Sequence, residues 1–178
     1  MIPIILKVLS TGLVGEEAPD ARAEWRVRTS GIQDEVLRLL GRALVIRHVD
    51  AGSCNGCELE LHALNNPYYN IEGLGIRFAA SPRHADMLLV TGPVSRHMEQ
   101  ALRIAYEAML EPKLVVAVGD CGRDGGIWGE SYATCGGVAN VLPVDVAVPG
   151  CPPPPAAILQ GILTAISTRG VVRSVGPE

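Results

Sequence analysis

Residues 43–57 read ALVIRHVDAGSCNGC, from Ala43 to Cys57. The first half, Ala43 to Val49, is a nearly unbroken apolar run rich in β-branched residues, which suits a strand covered on both faces. The second half is a loop of small residues with two thiols three positions apart, Cys54 and Cys57. The same order of strand, glycine and cysteine returns twice. Lys113 to Val118 (KLVVAV) runs into Gly119-Asp120-Cys121-Gly122, and Asp145 to Val148 runs into Pro149-Gly150-Cys151.

Working outward, Gly75 to Ala79 reads as a weaker strand and Asp86 to Thr91 (DMLLVT) as a continuous apolar one. Helical spacing of Ile32, Val36, Leu39 and Leu40 predicts a helix over 31–41, with Gly41 as its stop. A short helix is expected from about Glu58 to Leu64. Ser95 is placed to cap a helix to about Leu110, with Leu102, Ala105, Tyr106 and Met109 on one face. Pro152 to Pro155 suit the entrance of a helix running to about Ser167. Strands alternating with helices predict an α/β fold, a doubly wound parallel sheet of about five strands with helices on both faces. The domain is expected over 43–167. It follows an extension over 1–42 that contacts a partner and precedes a tail over 168–178.

Composition excludes several classes. Of the 178 residues 48% are hydrophobic, yet no uncharged apolar run reaches the ~18 residues of a membrane span. The surplus apolar surface points to another subunit. Fifteen basic against nineteen acidic residues, a net charge of −4, and no basic run speak against nucleic acid. The N-terminus mimics an export signal as far as Ala21-Arg22-Ala23. It lacks a basic start, however, and Lys7, Glu16, Glu17 and Asp20 interrupt it, so a cytoplasmic chain is expected. Five cysteines in a reducing compartment suit metal ligands, redox groups or buried small residues better than disulfides.

Four of the five follow strands. In a parallel sheet the carboxyl ends share one edge, and ligands bind in the crevice there. Cys54, Cys57, Cys121 and Cys151 are thereby expected to meet, flanked by glycines that let backbone approach sulfur. Four thiols without histidine suit an iron–sulfur cluster or structural zinc. One Cys-x-x-Cys hook with two distant single cysteines fits a cluster in a larger fold better than the paired hooks of zinc sites. Zinc and unrelated thiols stay open at this point. Cys135 sits in a long segment, Gly119 to Pro143, expected to be functional or contact-forming; the thiol itself reads as a small buried residue. No P-loop or GxGxxG is present, and the first strand–helix loop is taken by the cysteine hook, which disfavours a flavin or nucleotide.

The stretches HVDAGSCNGCELEL, IRFAASPRHADMLLVTGPVSR, VVAVGDCGRDGGIW and VLPVDVAVPGCPPPPAAIL, in this order, resemble the small electron-transfer subunit of membrane-associated [NiFe] hydrogenases. The superfamily also holds the cluster-bearing 20-kDa-type subunit of respiratory complex I. The resemblance implies a flavodoxin-like fold and one [4Fe–4S] cluster on Cys54, Cys57, Cys121 and Cys151. It implies an electron-relay role without a catalytic site. The implied partners are a [NiFe] hydrogenase-type large subunit, ferredoxin-like iron–sulfur subunits and membrane subunits, with the chain peripheral on the cytoplasmic face. The CxxC hook, in place of adjacent cysteines, and Pro154, in place of arginine, favour the hydrogenase branch over a quinone-linked relay. The quinone-linked relay and a structural zinc or scaffold subunit are the alternatives. No cysteine follows Cys151, so further relay clusters are expected in partner subunits.

Asp120 departs from the alanine common before the third ligand in this family. It is expected either to lower the potential of an adjacent cluster or to turn away and cap the following glycine-rich turn. Glu58, Glu60, His84 and His97 are candidates for proton transfer, and Arg96 and Arg123 for partner contact. Trp128 and Tyr132 lie in the glycine-rich GGIWGESY segment, and both residue types are enriched at interfaces.

Overall fold

The computed structural model describes residues 34, 36–38 and 41–173. Of the extension expected over 1–42, residues 1–33, 35, 39 and 40 lie outside the described residues, as do residues 174–178 of the tail expected over 168–178. Of the helix expected over 31–41, Asp34 and Val36–Arg38 are helical, and Val36 is fully buried. Gly41, at φ +68°, donates its N–H to the carbonyl of Leu37 at 2.7 Å. That bond satisfies a carbonyl left over at a helix end.

Five strands form one parallel sheet: β1 Leu44–Asp50, β2 Ile76–Phe78, β3 Met87–Thr91, β4 Leu114–Val118 and β5 Val146–Val148. Their order is β2-β1-β3-β4-β5, with every adjacent pair parallel. This is the doubly wound order with a switch point between β1 and β3. The helices are α1 Gly56–Leu64, α2 Arg96–Glu107, α3 Gly119–Asp124 and α4 Pro155–Arg173. All ten residues of β3 and β4 are buried, as central strands covered on both faces require. Each large aliphatic side chain among them contributes about 1.5–3 kcal/mol by leaving water.

Alternate residues serve the two faces. Leu88, Val90, Val115 and Ala117 pack with Leu102 of α2 and with Val138 and Leu142. α4 packs on β4 and β5 and against α1, with Ile158, Ile162 and Ala165 fully buried. α2 starts where the sequence expects it: Ser95 Oγ accepts the N–H of Met98 at 3.3 Å. It ends earlier, at Glu107, while α4 runs past Ser167 to Arg173. No helix among the described residues is long and apolar enough to cross a membrane.

Register decides where the loops emerge. Asp50 pairs with Thr91, Thr91 with Val118, and Val118 with Val148. These four residues make one row at the carboxyl edge, so the segments bearing Cys54, Cys121 and Cys151 leave the sheet side by side.

Candidate functional site

The loop after β1 is bent by Asp50, whose Oδ1 accepts the N–H groups of Gly52 and Ser53, both at 2.8 Å. The bend turns the chain back over the sheet edge. The Cys57 thiol then reaches past β3 and lies 3.9 Å from the carbonyl of Val118, the last residue of β4. The next residue, Gly119, has φ +84°, and a Cβ there would stand 2.7 Å from Cys57 Sγ. A Cβ on Gly126 would stand 3.0 Å from Cys121 Sγ, and one on Gly56 would lie 3.5 Å from Cys54 Sγ and 3.8 Å from Pro152. The loops after β1, β4 and β5 are therefore in mutual contact, and glycine occupies the positions where a side chain would strike sulfur.

The thiols feel one another. Burial, then Glu58, then Cys121, Cys54 and Cys151 push the Cys57 thiol up to about 12 from its ordinary 9.0. Burial, then Cys151 and Cys54, push Cys121 up as well. Cys54 and Cys151 are exposed, and Cys57 and Cys121 half-buried, so the group opens onto the protein surface. Among the described residues no three His, Cys, Asp or Glu side chains close around a single point as ligands of one metal ion do.

Cys135 stands apart. It is buried in the cluster with Leu102 and Val138, and its thiol donates to Glu99 Oε2 of α2 at 3.3 Å. Burial and then that carboxylate raise its thiol, which keeps it protonated and unreactive.

The expected cap at Asp120 takes a different form. Asp120 Oδ1 accepts the N–H of Gly150 at 3.1 Å and faces Arg123 at 3.2 Å. The residue that caps the glycine-rich turn is Asp124, whose Oδ1 accepts the N–H of Gly126 at 2.9 Å. Arg123 spans Asp120 and Asp124. Arg96 reaches Glu130 at 3.7 Å and the carbonyl of Ser131 at 3.3 Å, which ties the glycine-rich lobe to α2. In that lobe Ile127, Trp128 and Tyr132 stand in solvent, Tyr132 almost wholly (97%). His84 and His97 are exposed, and neither is among the charges that act on the thiols.

Sequence reading singled out Glu58 but missed the polar residues around it. His48, one of two polar residues inside the β1 run, lies 3.0 Å from Thr91 Oγ1 and 3.7 Å from Glu58 Oε1. Glu58 is 7% exposed, and its Oε2 accepts from Ser53 Oγ at 2.5 Å. Its Oε1 and the Nε of Arg47 are buried without a hydrogen-bond partner. Both residues line a cleft of about 310 Å³ with His48, His62, Asn65 and Phe78. Burial lowers His48 from 6.5, against the opposing pull of Glu58 and Asp50. The signal in the sequence is Arg47-His48 itself, two polar residues inside a buried strand.

Residues 54–165 match the family model described as NADH ubiquinone oxidoreductase, 20 Kd subunit. The chain belongs to this family. Among similar proteins, the probable membrane-bound hydrogenase subunit mbhJ of Pyrococcus furiosus is 43% identical over 81% of this chain and 87% of its own length. Formate hydrogenlyase subunit 7 of Escherichia coli is 41% identical over 77% of this chain, which spans 54% of that longer protein. Among solved structures, a chain of the membrane-bound sulfane sulfur reductase, an archaeal respiratory membrane complex, matches with a TM-score of 0.64 and 33% identity. The match covers 73% of this chain and 72% of that one. The five-stranded α/β architecture is thus that of the family.

Proposed function

We propose that Cys54, Cys57, Cys121 and Cys151 hold one [4Fe–4S] cluster, and that the chain relays electrons as a non-catalytic subunit of a hydrogenase-type, membrane-associated complex. The observation that carries this reading is the meeting of three strand-end loops, with glycine at 119 where a Cβ would stand 2.7 Å from Cys57 Sγ. The donor set fits the group: four thiols with no histidine among them suit iron–sulfur ligation. Their chemistry fits too. Cys57, pushed up to about 12, becomes a thiolate at neutral pH only beside a strong positive charge, which bound iron supplies.

When bound, such a cluster supplies a one-electron redox centre. The protein's own part is positional and electrostatic. The strand ends fix the sulfurs, the half-buried setting of Cys57 and Cys121 limits water, and the Glu58 and Asp120 carboxylates disfavour added negative charge nearby. Exposure of Cys54 and Cys151 leaves a face for a partner to cover. We assign that face to a [NiFe] hydrogenase-type large subunit, with ferredoxin-like iron–sulfur subunits and membrane subunits completing the assembly on the cytoplasmic side. Similarity to mbhJ and to formate hydrogenlyase subunit 7 supports a hydrogenase-type partner.

The test is iron and acid-labile sulfide per chain, on protein prepared without oxygen. About four of each is expected for one [4Fe–4S] cluster; zinc without sulfide refutes the relay and leaves a structural site. Cys57→Ser is expected to lose the cluster signal and Cys135→Ser to keep it. Retention by Cys57→Ser refutes the ligand assignment.

A further inference from the structure

We propose that Asp120 is a positioning residue of the thiol site: it locks the Cys121 loop to the Cys151 loop and holds a negative charge there that lowers the reduction potential of the centre. The inference rests on the cluster reading given above. Asp120 immediately precedes Cys121, and Gly150 immediately precedes Cys151. The two are joined at two points. The Asp120 N–H donates to the Gly150 carbonyl at 2.8 Å, and the Gly150 N–H donates to Asp120 Oδ1 at 3.1 Å. A single bond lets two loops pivot; two bonds in opposite senses fix both their separation and their rotation. The sulfurs of Cys121 and Cys151 each lie one residue beyond this lock, so its geometry is passed to them directly.

The carboxylate is itself held. Arg123, one turn further along α3, meets Asp120 Oδ1 at 3.2 Å and Asp124 Oδ2 at 2.8 Å. Two acids share one guanidinium, so the trio carries one net negative charge next to Cys121. Asp120 is the residue before Cys121 in the chain, and the Gly150 N–H and Arg123 fix its carboxylate there. A fixed negative charge beside a redox centre disfavours an added electron there. The lock uses the oxygen of Asp120 and the potential uses its charge, so the two roles separate by substitution.

The experiment uses the assembled complex purified without oxygen, with iron and sulfide counted per complex and the cluster's midpoint potential read by spectroscopic redox titration. Asp120→Asn keeps an oxygen for Gly150 and removes the charge. It is expected to keep wild-type iron and to shift the midpoint upward. Arg123→Gln frees a second negative charge and is expected to keep iron and shift the midpoint downward. Asp120→Ala removes oxygen and charge together but leaves the backbone bond from its own N–H to the Gly150 carbonyl. With alanine common at this position in the family, it is expected to keep iron, to shift the midpoint upward, and to broaden the cluster's spectroscopic signal relative to Asp120→Asn as the loops lose their second tie. Equal midpoints in wild type and Asp120→Asn, or equally sharp signals in Asp120→Asn and Asp120→Ala, overturn the proposal. A wild-type complex without iron and sulfide overturns the cluster reading, and this inference falls with it.

Discussion

Replacing Gly119 by alanine tests whether the crevice is shaped around sulfur. The new Cβ would stand 2.7 Å from Cys57 Sγ, where ordinary contact begins at 3.4 Å, and 3.3 Å from the carbonyl of Gly150. The shortfall against sulfur exceeds the roughly 0.2 Å within which metal–ligand distances are held. Either Cys57 or the Gly119 turn must move, and a moved sulfur no longer serves the site. The backbone adds a second cost. At φ +84° a side chain costs about 1–2 kcal/mol. A proper control is Gly129→Ala, at φ +54° with nothing within 4 Å of its Cβ, which carries the backbone cost alone. In a chain of this size about 1 kcal/mol moves Tm by roughly 2–4 °C, so both variants melt roughly 2–8 °C lower without metal. Only Gly119→Ala is expected to melt lower still and to lose iron after reconstitution. Wild-type iron content in Gly119→Ala, with a Tm matching the control, refutes the idea that this glycine exists to admit the thiol.

Three further outcomes follow from the site and its rim. Burial holds His48 below 6.5, so the unfolded chain binds its proton more readily than the folded one. The stability it contributes is whole above pH 6.5 and declines as pH falls toward the lowered folded value; His48→Gln is expected to flatten that decline in thermal melts taken between about pH 5 and 8, and an unchanged profile refutes it. Ser53→Ala takes the hydrogen-bond donor from Glu58 Oε2, in a carboxylate whose Oε1 is already without one; a loss of about 1–3 kcal/mol is expected by denaturant titration, and a loss within error refutes the view that Ser53 supports this carboxylate. Trp128→Ala with Tyr132→Ala is expected to leave the isolated chain's Tm unchanged, because both side chains are exposed, and to weaken co-purification with the large subunit; undiminished recovery of the complex removes that lobe from the interface.

Five strands were legible because their signal is local. Each is a short apolar run bounded by glycine, proline or acid, and the structure moves their limits by at most one residue. The approach of the cysteine-bearing loops to one another was legible only in outline. Sequence places Cys54, Cys121 and Cys151 after strands, but nearness follows from the row Asp50, Thr91, Val118 and Val148, a matter of register between strands. The partner of Asp120 was not legible, because its hydrogen bond to Gly150 crosses thirty residues and depends on β4 lying beside β5. A local rule offered the nearby glycine-rich turn instead, and Asp124, two residues before Gly126, fills that place. The six residues of α3 escaped notice for a similar reason. Gly119-Asp120-Cys121-Gly122-Arg123-Asp124 has poor intrinsic helix formers, and contacts with β4, β5 and β3 hold it in shape.

The raised thiols connect this geometry to the proposed cofactor. Gathering cysteines in a half-buried crevice makes their ionisation harder, and each thiolate formed opposes the next; that is why Cys57 stands at about 12. Without metal the arrangement is therefore stable as thiols near neutral pH. The contribution of Cys57 is complete below 9.0 and declines as pH rises toward 12. Iron bound as proposed would outweigh these costs, because its attraction for each thiolate exceeds the repulsion among them. Protons must leave as metal enters, so uptake becomes more favourable as pH rises. A crevice that raises Cys57 and Cys121 is poor at holding them as free thiolates, which is the cost the proposed iron would offset. The same feature ties a sequence pattern, cysteines after parallel strands, to the relay proposed for this chain.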